Sequence, residues 1–187
     1  IVDLAIGAGT GEALAIEHLK RLGAYADTIV EQKRHNPTDD ILSIIVHAQL
    51  EDGSPQLDNR ELRAFFALLF SAGAETTRSS IAGGLVALIE NPHELERLRR
   101  NPTLMKGAVE EIVRWTSPSV YKRRTTTRDV ELGGQCIRQG QKVTIWEMSA
   151  NRDEDEFADP FRFDISRHPN FHIGFGLGSH FCLGANL

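Results

Sequence analysis

The sequence is poor in cysteine: Cys136 and Cys182 are the only two in 187 residues, and neither belongs to a C-x-x-C pair. A disulfide framework is therefore excluded, and a reducing cytoplasm is the expected compartment. An excess of basic charge is also missing, since 21 Lys and Arg stand against 26 Asp and Glu for a formal charge of −5. Both signs are mixed along the chain, so the basic stripe that a phosphate backbone requires is absent and nucleic acid is not an expected partner. No uncharged apolar run approaches the roughly eighteen residues of a membrane span, and no basic segment precedes an apolar core at the start, so neither a span nor a signal peptide is expected. Internal repeats and low-complexity segments are lacking as well.

What the chain does have is 41% apolar residues, enough to bury the core of a sizeable domain. Leu19, Leu22, Tyr25 and Ile29 recur at spacings of three and four, which predicts amphipathic helix between about Thr10 and Lys33. The stretch NPTDDILSIIVHAQLEDG predicts a short helix with Thr38 at its N-cap, Asp39 and Asp40 in its first turn and Gly53 beyond its end. Asp58 and Glu61 then form a capping box, and Pro92 follows Glu90, so residues 59–90 read as one helix of roughly thirty residues, about 45 Å long. Asn91 and Pro92 open another helix that ends near Asn101, and TLMKGAVEEIVRW a further one that stops before Pro118.

Beyond this helical part, residues 1–117, the pattern changes. Residues 118–148 are rich in Val, Thr and Ile with turn signals at Gly133-Gly134 and Gln139-Gly140, which predicts a small antiparallel sheet. Residues 149–187 are loop-like, with Pro160 and Pro169. The expected fold class is mainly α with a small antiparallel β-sheet, in a single domain over 1–187. The first residue is Ile1 and a helical pattern only opens after Gly184, so the expectation is a segment of a longer domain, truncated at both ends.

Chemistry concentrates in FGLGSHFCLGANL, where Gly176, Gly178 and Gly184 crowd around Cys182. A dinucleotide fingerprint starting at Gly176 needs glycine where Phe181 stands, and a phosphate loop starting at Gly178 needs it where Leu183 stands. Phosphate readings therefore fail. A zinc site drawing on His168, His172, His180 and Cys182 remains open, although Pro169 interrupts the first histidine pair. A nucleophilic cysteine with His180 as base is open too, and so is a buried structural cysteine in a tight turn.

Phe175, Gly178, His180, Cys182 and Gly184 reproduce a Phe-x-x-Gly-x-His/Arg-x-Cys-x-Gly signature, and in it the chain resembles the cytochrome P-450 family of haem-thiolate monooxygenases, of bacterial soluble type. The resemblance extends over the whole chain and matches the second half of family members. It implies haem b as cofactor, with Cys182 as the axial iron ligand. Glycines there, Gly176 and Gly184 among them, let the backbone pass close under the porphyrin and aim N–H groups at the sulfur. Phe175 is expected to cover the sulfur, and His180 to pair with a haem propionate.

In the long helix, AGAETT matches the family's oxygen-binding motif. Taken alone, Glu75 with Arg78 is an ordinary helical ion pair and the threonines bond back to carbonyls of their own helix. The resemblance instead makes Ala72 and Gly73 the residues that leave room for dioxygen, and Glu75 and Thr76 the acid and alcohol that deliver protons for oxygen activation. It places Glu111 and Arg114 in the family's Glu-x-x-Arg pair, completed by Arg167, as a structural network behind the cysteine loop. It assigns Arg124 to the other propionate, with Arg123 as competitor, and puts Ala72 and residues 117–120, notably Ser119 and Val120, along the substrate pocket. Cys136 matches no motif.

The implied function is insertion of one oxygen atom into a hydrophobic small molecule, a steroid or branched lipid by subgroup, with electrons from a ferredoxin-type or flavin-containing donor. Two alternatives accompany it: a haem-binding or peroxide-using protein without monooxygenase turnover, and a non-haem helical domain with a structural or zinc-binding cysteine.

Overall fold

The computed structural model describes residues 12–186, which form two compact units divided between Glu75 and Thr76, inside a continuous helix. The first unit contains α1 (Glu12–His35), α2 (Ile41–Val46) and the first half of α3 (Asn59–Glu90). Thr10, where the sequence predicts α1 to begin, lies outside the described residues. Lys33, Arg34 and His35 fill the last turn of α1, where cations complement the negative end of the helix dipole. The capping box at the start of α3 is reciprocal: the Glu61 N–H donates to Asp58 and the Asp58 N–H donates to Glu61, both at 2.8 Å. Tyr25 of α1 meets Phe66 of α3 edge-on at 5.9 Å, and Phe66 stacks on Phe70 at 6.3 Å.

The α2 boundaries depart from the expected ones. Its N-cap is Asp40, whose carboxylate accepts the Ser43 N–H at 2.8 Å, while the Thr38 hydroxyl turns to Asp40 itself. An ionised oxygen is the stronger acceptor, and the Lys33 ammonium at 2.5 Å fixes it there and holds the Asp40 carboxyl well below the usual carboxylate range. The helix stops at Val46, well before Gly53, because the chain folds back on itself through a Gln49–Pro55 bridge.

The second unit holds the rest of α3, α4 (Pro92–Arg100), α5 (Met105–Thr116), strands β1 (Tyr121–Thr125), β2 (Val130–Leu132), β3 (Gln135–Ile137) and β4 (Lys142–Trp146), and the short α6 (Glu147–Ala150). The β structure is two separate antiparallel ladders. β1 pairs with β4, Tyr121 opposite Trp146 and Thr125 opposite Lys142, and β2 pairs with β3 across Gly133 and Gly134 at φ +55° and +73°. Among the described residues no helix is long and apolar enough to cross a membrane.

The core of this unit is built from Ala87, Ala108, Phe163 and Ile165, flanked by Leu88, Leu98, Leu104, Ile112 and Trp115. Two of the four, Phe163 and Ile165, come from a segment without regular secondary structure, so the irregular chain after α6 is itself core and not a surface loop. Small residues make the close approach possible. A Cβ added at Gly84 of α3 would come within 2.7 Å of the Ile112 side chain on α5, and one added at Gly107 of α5 within 2.7 Å of the Ile165 carbonyl oxygen.

That difference predicts opposite outcomes for one chemical change. Gly23, in α1, has nothing within 4 Å of an added Cβ among the described residues, so Gly23→Ala gains about 0.5–1 kcal/mol from helix propensity. Gly107→Ala gains the same propensity but drives a methyl into backbone, which costs about 1–3 kcal/mol and leaves a net loss. Chemical denaturation of the two variants beside the wild type measures both signs.

Candidate functional site

Arg114, on the last turn of α5, is completely buried beside an equally buried Glu111 one turn earlier. Its guanidinium makes a bidentate pair with that carboxylate, Nε and Nη2 each 2.7 Å from an oxygen. Nη1 donates to the carbonyls of Asn151 at 2.7 Å and Pro160 at 2.9 Å, and Nη2 also donates to that of Arg162 at 3.2 Å. A guanidinium has five N–H donors, and all five are used. The Phe157 and Trp115 rings lie 5.4 and 5.7 Å from its central carbon, which adds cation–π attraction on the faces that hydrogen bonds leave uncovered.

The carboxylate is as fully engaged. Besides Arg114, Glu111 accepts the Asp164 N–H at 3.0 Å, Arg167 Nε at 3.3 Å and Asn170 Nδ2 at 3.2 Å. Arg167 in turn donates to the carbonyls of Ala158, Asp159 and Arg162. Glu111, Arg114 and Arg167 are thus brought together, and they hold six backbone groups of residues 151–164. The next amide along, Ile165 N–H, goes to a second buried carboxylate, Glu94 of α4, which Arg97 binds through 2.7 and 2.9 Å contacts. Asp164, at the junction, is pushed up by burial but more strongly drawn below the ordinary aspartate range by hydrogen bonds from Ser166 and the charges of Arg162 and Arg97.

Asn151 carries this rigidity to the cysteine loop. Its Nδ2 donates to Ser117 Oγ at 3.0 Å, and its Oδ1 accepts the Ile173 N–H at 2.9 Å. Ser117 is buried in the left-handed cap of α5, so its hydroxyl is spent on this lock and does not line a pocket, in contrast to neighbouring Ser119, half-buried, and Val120, exposed. His172 accepts the Gly174 N–H on Nδ1 at 3.2 Å, which leaves its Nε2 as the protonated nitrogen facing Glu110 at 2.9 Å. Gly174 then passes so close to α5 that an added Cβ would lie 2.7 Å from the Val113 side chain.

The loop that follows is closed by its own backbone: the Cys182 N–H donates to the Phe175 carbonyl at 2.8 Å, and the Gly176 N–H donates to that of Ile173 at 2.8 Å. Gly176 and Gly178 have φ of +75° and +71°, a region that side chains with Cβ rarely adopt. Phe175 packs edge-on against Phe181 at 6.2 Å, and Cys182 is a free thiol at the surface. His180 lies exposed in a single 3-10 turn, Gly178–His180, and Gly184 is exposed beyond the cysteine. Among the described residues no three His, Cys, Asp or Glu side chains are grouped to hold a metal ion, and His172 is committed to Glu110.

On β1, Arg124 is exposed with Nη1 on the neighbouring Arg123 carbonyl, and Lys122, two residues before it on the same strand face, is half-buried. The Lys122 ammonium pairs with Glu147, a wholly buried carboxylate at the start of α6, and its end reaches 3.9 Å from where a Cβ on Gly176 would sit. Burial, and then repulsion from Arg124, hold the Lys122 ammonium below the ordinary lysine range, with the Cys182 sulfur acting in the opposite direction. Ala72, Gly73 and Glu75 close the first unit and Thr76 opens the second; Ala72 and Gly73 are exposed, Glu75 and Thr76 half-buried. Cys136 is exposed on β3.

The sequence and fold that carry this buried Glu-x-x-Arg pair and surface cysteine loop match known proteins. The family profile "Cytochrome P450" matches residues 12–187. The chain belongs to the cytochrome P450 family. Cytochrome P450 126 of Mycobacterium tuberculosis is 58% identical over 168 residues, which covers 89% of this chain and 41% of that protein. The methyl-branched lipid omega-hydroxylase of the same organism is 51% identical over 168 residues, 89% of this chain and 39% of its own length. The crystal structure of Mycobacterium marinum CYP268A2 with pseudoionone superposes with a TM-score of 0.85 at 43% identity, over 92% of this chain and 42% of that one. The chain therefore spans about two-fifths of the length of each of these three P450s.

Several residues of this network carry no sequence signal that singles them out: Asn151 and Asn170 act through side-chain amides in irregular chain, and Glu147 is one acid in the acidic stretch after β4. Glu94 and Arg97 do carry one, since their spacing of three repeats that of Glu111 and Arg114.

Arg114→Ala removes the cation and leaves Glu111 buried without it, for a predicted loss of about 3–5 kcal/mol in denaturant unfolding. Arg114→Lys has three donors for five acceptors and recovers only part of that loss.

Proposed function

We propose that the protein is a haem-thiolate monooxygenase that inserts one atom of dioxygen into a hydrophobic small molecule, and that the Cys182 sulfur would hold the iron of haem b. The observation that carries this reading is an exposed thiol on a self-closed glycine loop whose approach is anchored by the buried Glu111–Arg114 pair. The residues present fit the group. A thiolate is a soft donor suited to iron, an added Cβ at Gly178 meets nothing within 4 Å among the described residues, and Lys122, beside Gly176 of the cysteine loop, supplies positive charge for an anionic porphyrin.

Bound haem supplies an iron centre whose thiolate ligand favours O–O cleavage. This chain's residues do the rest. Cys182 presents its sulfur from a turn closed by the hydrogen bond from its own N–H to the Phe175 carbonyl. Phe175 and Phe181 shield one side of the loop, and the Gly176 and Gly184 backbone adds no side chain that would hold a flat ring off. Arg124 and His180 bind the propionates. Thr76 holds a proton by its hydroxyl and Glu75 passes protons in from solvent, while Ala72 and Gly73 leave space beside them. Ser119 and Val120 contact substrate. In balance, two electrons and two protons reduce one oxygen atom to water while the other enters a C–H bond, and the electrons come from a ferredoxin-type or flavin-containing donor.

Two relatives support an apolar, lipid-like substrate: the methyl-branched lipid omega-hydroxylase at 51% identity and the steroid C26-monooxygenase of Mycobacterium bovis at 44% identity over 164 residues. A steroid or branched lipid is accordingly the substrate class.

The reduced, carbon monoxide-bound spectrum of the full-length, haem-supplied protein tests the ligand. A strongly red-shifted Soret band that Cys182→Ala abolishes is expected, and folded protein without that band contradicts the reading. Thr76→Ala tests the proton route: product formed per electron consumed is expected to fall, by as much as roughly the hundredfold at the low side of what a positioned proton donor contributes. Unchanged coupling would remove Thr76 from that role.

A further inference from the structure

The Cys182 N–H is bonded to the Phe175 carbonyl at 2.8 Å, so the placement of the cysteine follows from what fixes residues 173–175. Two successive amides there are held by side chains. Asn151 takes the Ile173 N–H, and His172 Nδ1 takes the Gly174 N–H at 3.2 Å. His172 keeps only 3% of its side-chain surface and makes two further contacts: Nε2 lies 2.9 Å from the Glu110 carboxylate of α5, and the ring centre lies 5.6 Å from that of Phe175. A Cβ added at Gly174 would lie 2.7 Å from the Val113 side chain and 3.3 Å from Nδ1, so the backbone at that point is packed against both α5 and the imidazole.

A neutral imidazole has one donor and one acceptor nitrogen, and the partner that one nitrogen meets settles the state of the other. A carboxylate at Nε2 calls for the proton there and leaves the Nδ1 lone pair toward Gly174. The opposite tautomer puts a proton where the Gly174 N–H already points, and so does an imidazolium. Glu110 therefore selects the form of His172 that makes the loop bond.

We propose that His172, with its tautomer set by Glu110, is a positioning residue for Cys182. It acts through two links, the Gly174 N–H and the Phe175 ring, and Phe175 passes the placement on through its carbonyl to the Cys182 N–H. For the hold of the sulfur on iron this rests on the haem-thiolate reading of Cys182, whereas the backbone links do not depend on it. No covalent change is involved.

The test replaces the ring by amides that each keep the role of one nitrogen. In His172→Asn the side-chain oxygen stands at the place of Nδ1 and still accepts the Gly174 N–H, with nothing left for Glu110. His172→Gln reaches to the place of Nε2 and bonds Glu110, with nothing left for Gly174. Both variants lose the ring and its contact with Phe175, so the effect of that cavity is common to the two. Amide hydrogen exchange at Gly174 and Cys182 of the full-length protein is expected to be roughly two- to tenfold faster in His172→Gln than in His172→Asn, the weight of one net hydrogen bond. In the haem-loaded, reduced, carbon monoxide-bound protein, the red-shifted Soret band is expected to be lost faster in His172→Gln on mild warming. Glu110 keeps 39% of its side-chain surface, so Glu110→Ala leaves the packing in place, and it decides the matter where loss of the ring prevents folding. Exchange at Gly174 faster than in wild type is expected there, and unchanged exchange would overturn the part given to Glu110. Equal exchange in His172→Asn and His172→Gln, or unequal exchange with equal lifetimes of the band, would overturn the inference. A wild type without the red-shifted band removes the haem-thiolate reading, while the exchange comparison still decides the backbone links.

Discussion

The bidentate pair of Glu111 and Arg114 is the constraint on which the second unit depends. Both side chains are fully buried, and between them they bind the carbonyls of Asn151, Pro160 and Arg162 and the amide of Asp164. A long irregular segment normally runs over the surface because its polar backbone groups need water. Here the ion pair stands in for water, which is how Phe163 and Ile165 can enter the core from chain that is neither helix nor strand. A buried pair of this kind adds little net stability over an apolar one. Its effect here is on register: this placement of residues 151–167 gives a partner to every N–H of the guanidinium and bonds to both carboxylate oxygens.

From that register the cysteine loop inherits its position. Asn151 hands the constraint to Ile173, Gly174 is pressed against Val113, and Gly176 opens the turn that ends at Cys182. A loop holds a side chain within a fraction of an ångström of one place only when a rigid shell supports it. The helix α5 supplies that shell from two sides, through Glu111 and Arg114 on one face and Val113 and Glu110 on another. The doubled use of a Glu-x-x-Arg spacing, in Glu94–Arg97 as well as Glu111–Arg114, anchors consecutive amides of the same segment from two helices.

The parts of this architecture that were legible in the sequence are those with local causes. The capping box at Asp58 and Glu61, the stop at Pro92 and the Gly133-Gly134 turn each act over four residues or fewer, so α3, α4 and the β2–β3 hairpin follow from neighbours in the chain. Asp40 displaced Thr38 as cap because a lysine seven residues upstream ionised the contest, an interaction no cap preference contains. The glycine pattern of the cysteine loop was legible through the family signature, and Gly176 and Gly178 take the positive φ angles that favour glycine. Asn151 and Glu147 were not, since their partners lie tens of residues away in sequence and neither an amide just past a one-turn helix nor an acid at its start has a periodicity to betray it.

The central claim is that this scaffold exists to hold the Cys182 sulfur on iron. Iron K-edge X-ray absorption of the haem-loaded full-length protein tests it most directly. The account predicts one sulfur neighbour in the iron's coordination shell, lost in Cys182→Ala while the four porphyrin nitrogens remain. A shell of nitrogen and oxygen alone in the wild type, or a sulfur that persists without Cys182, would contradict it.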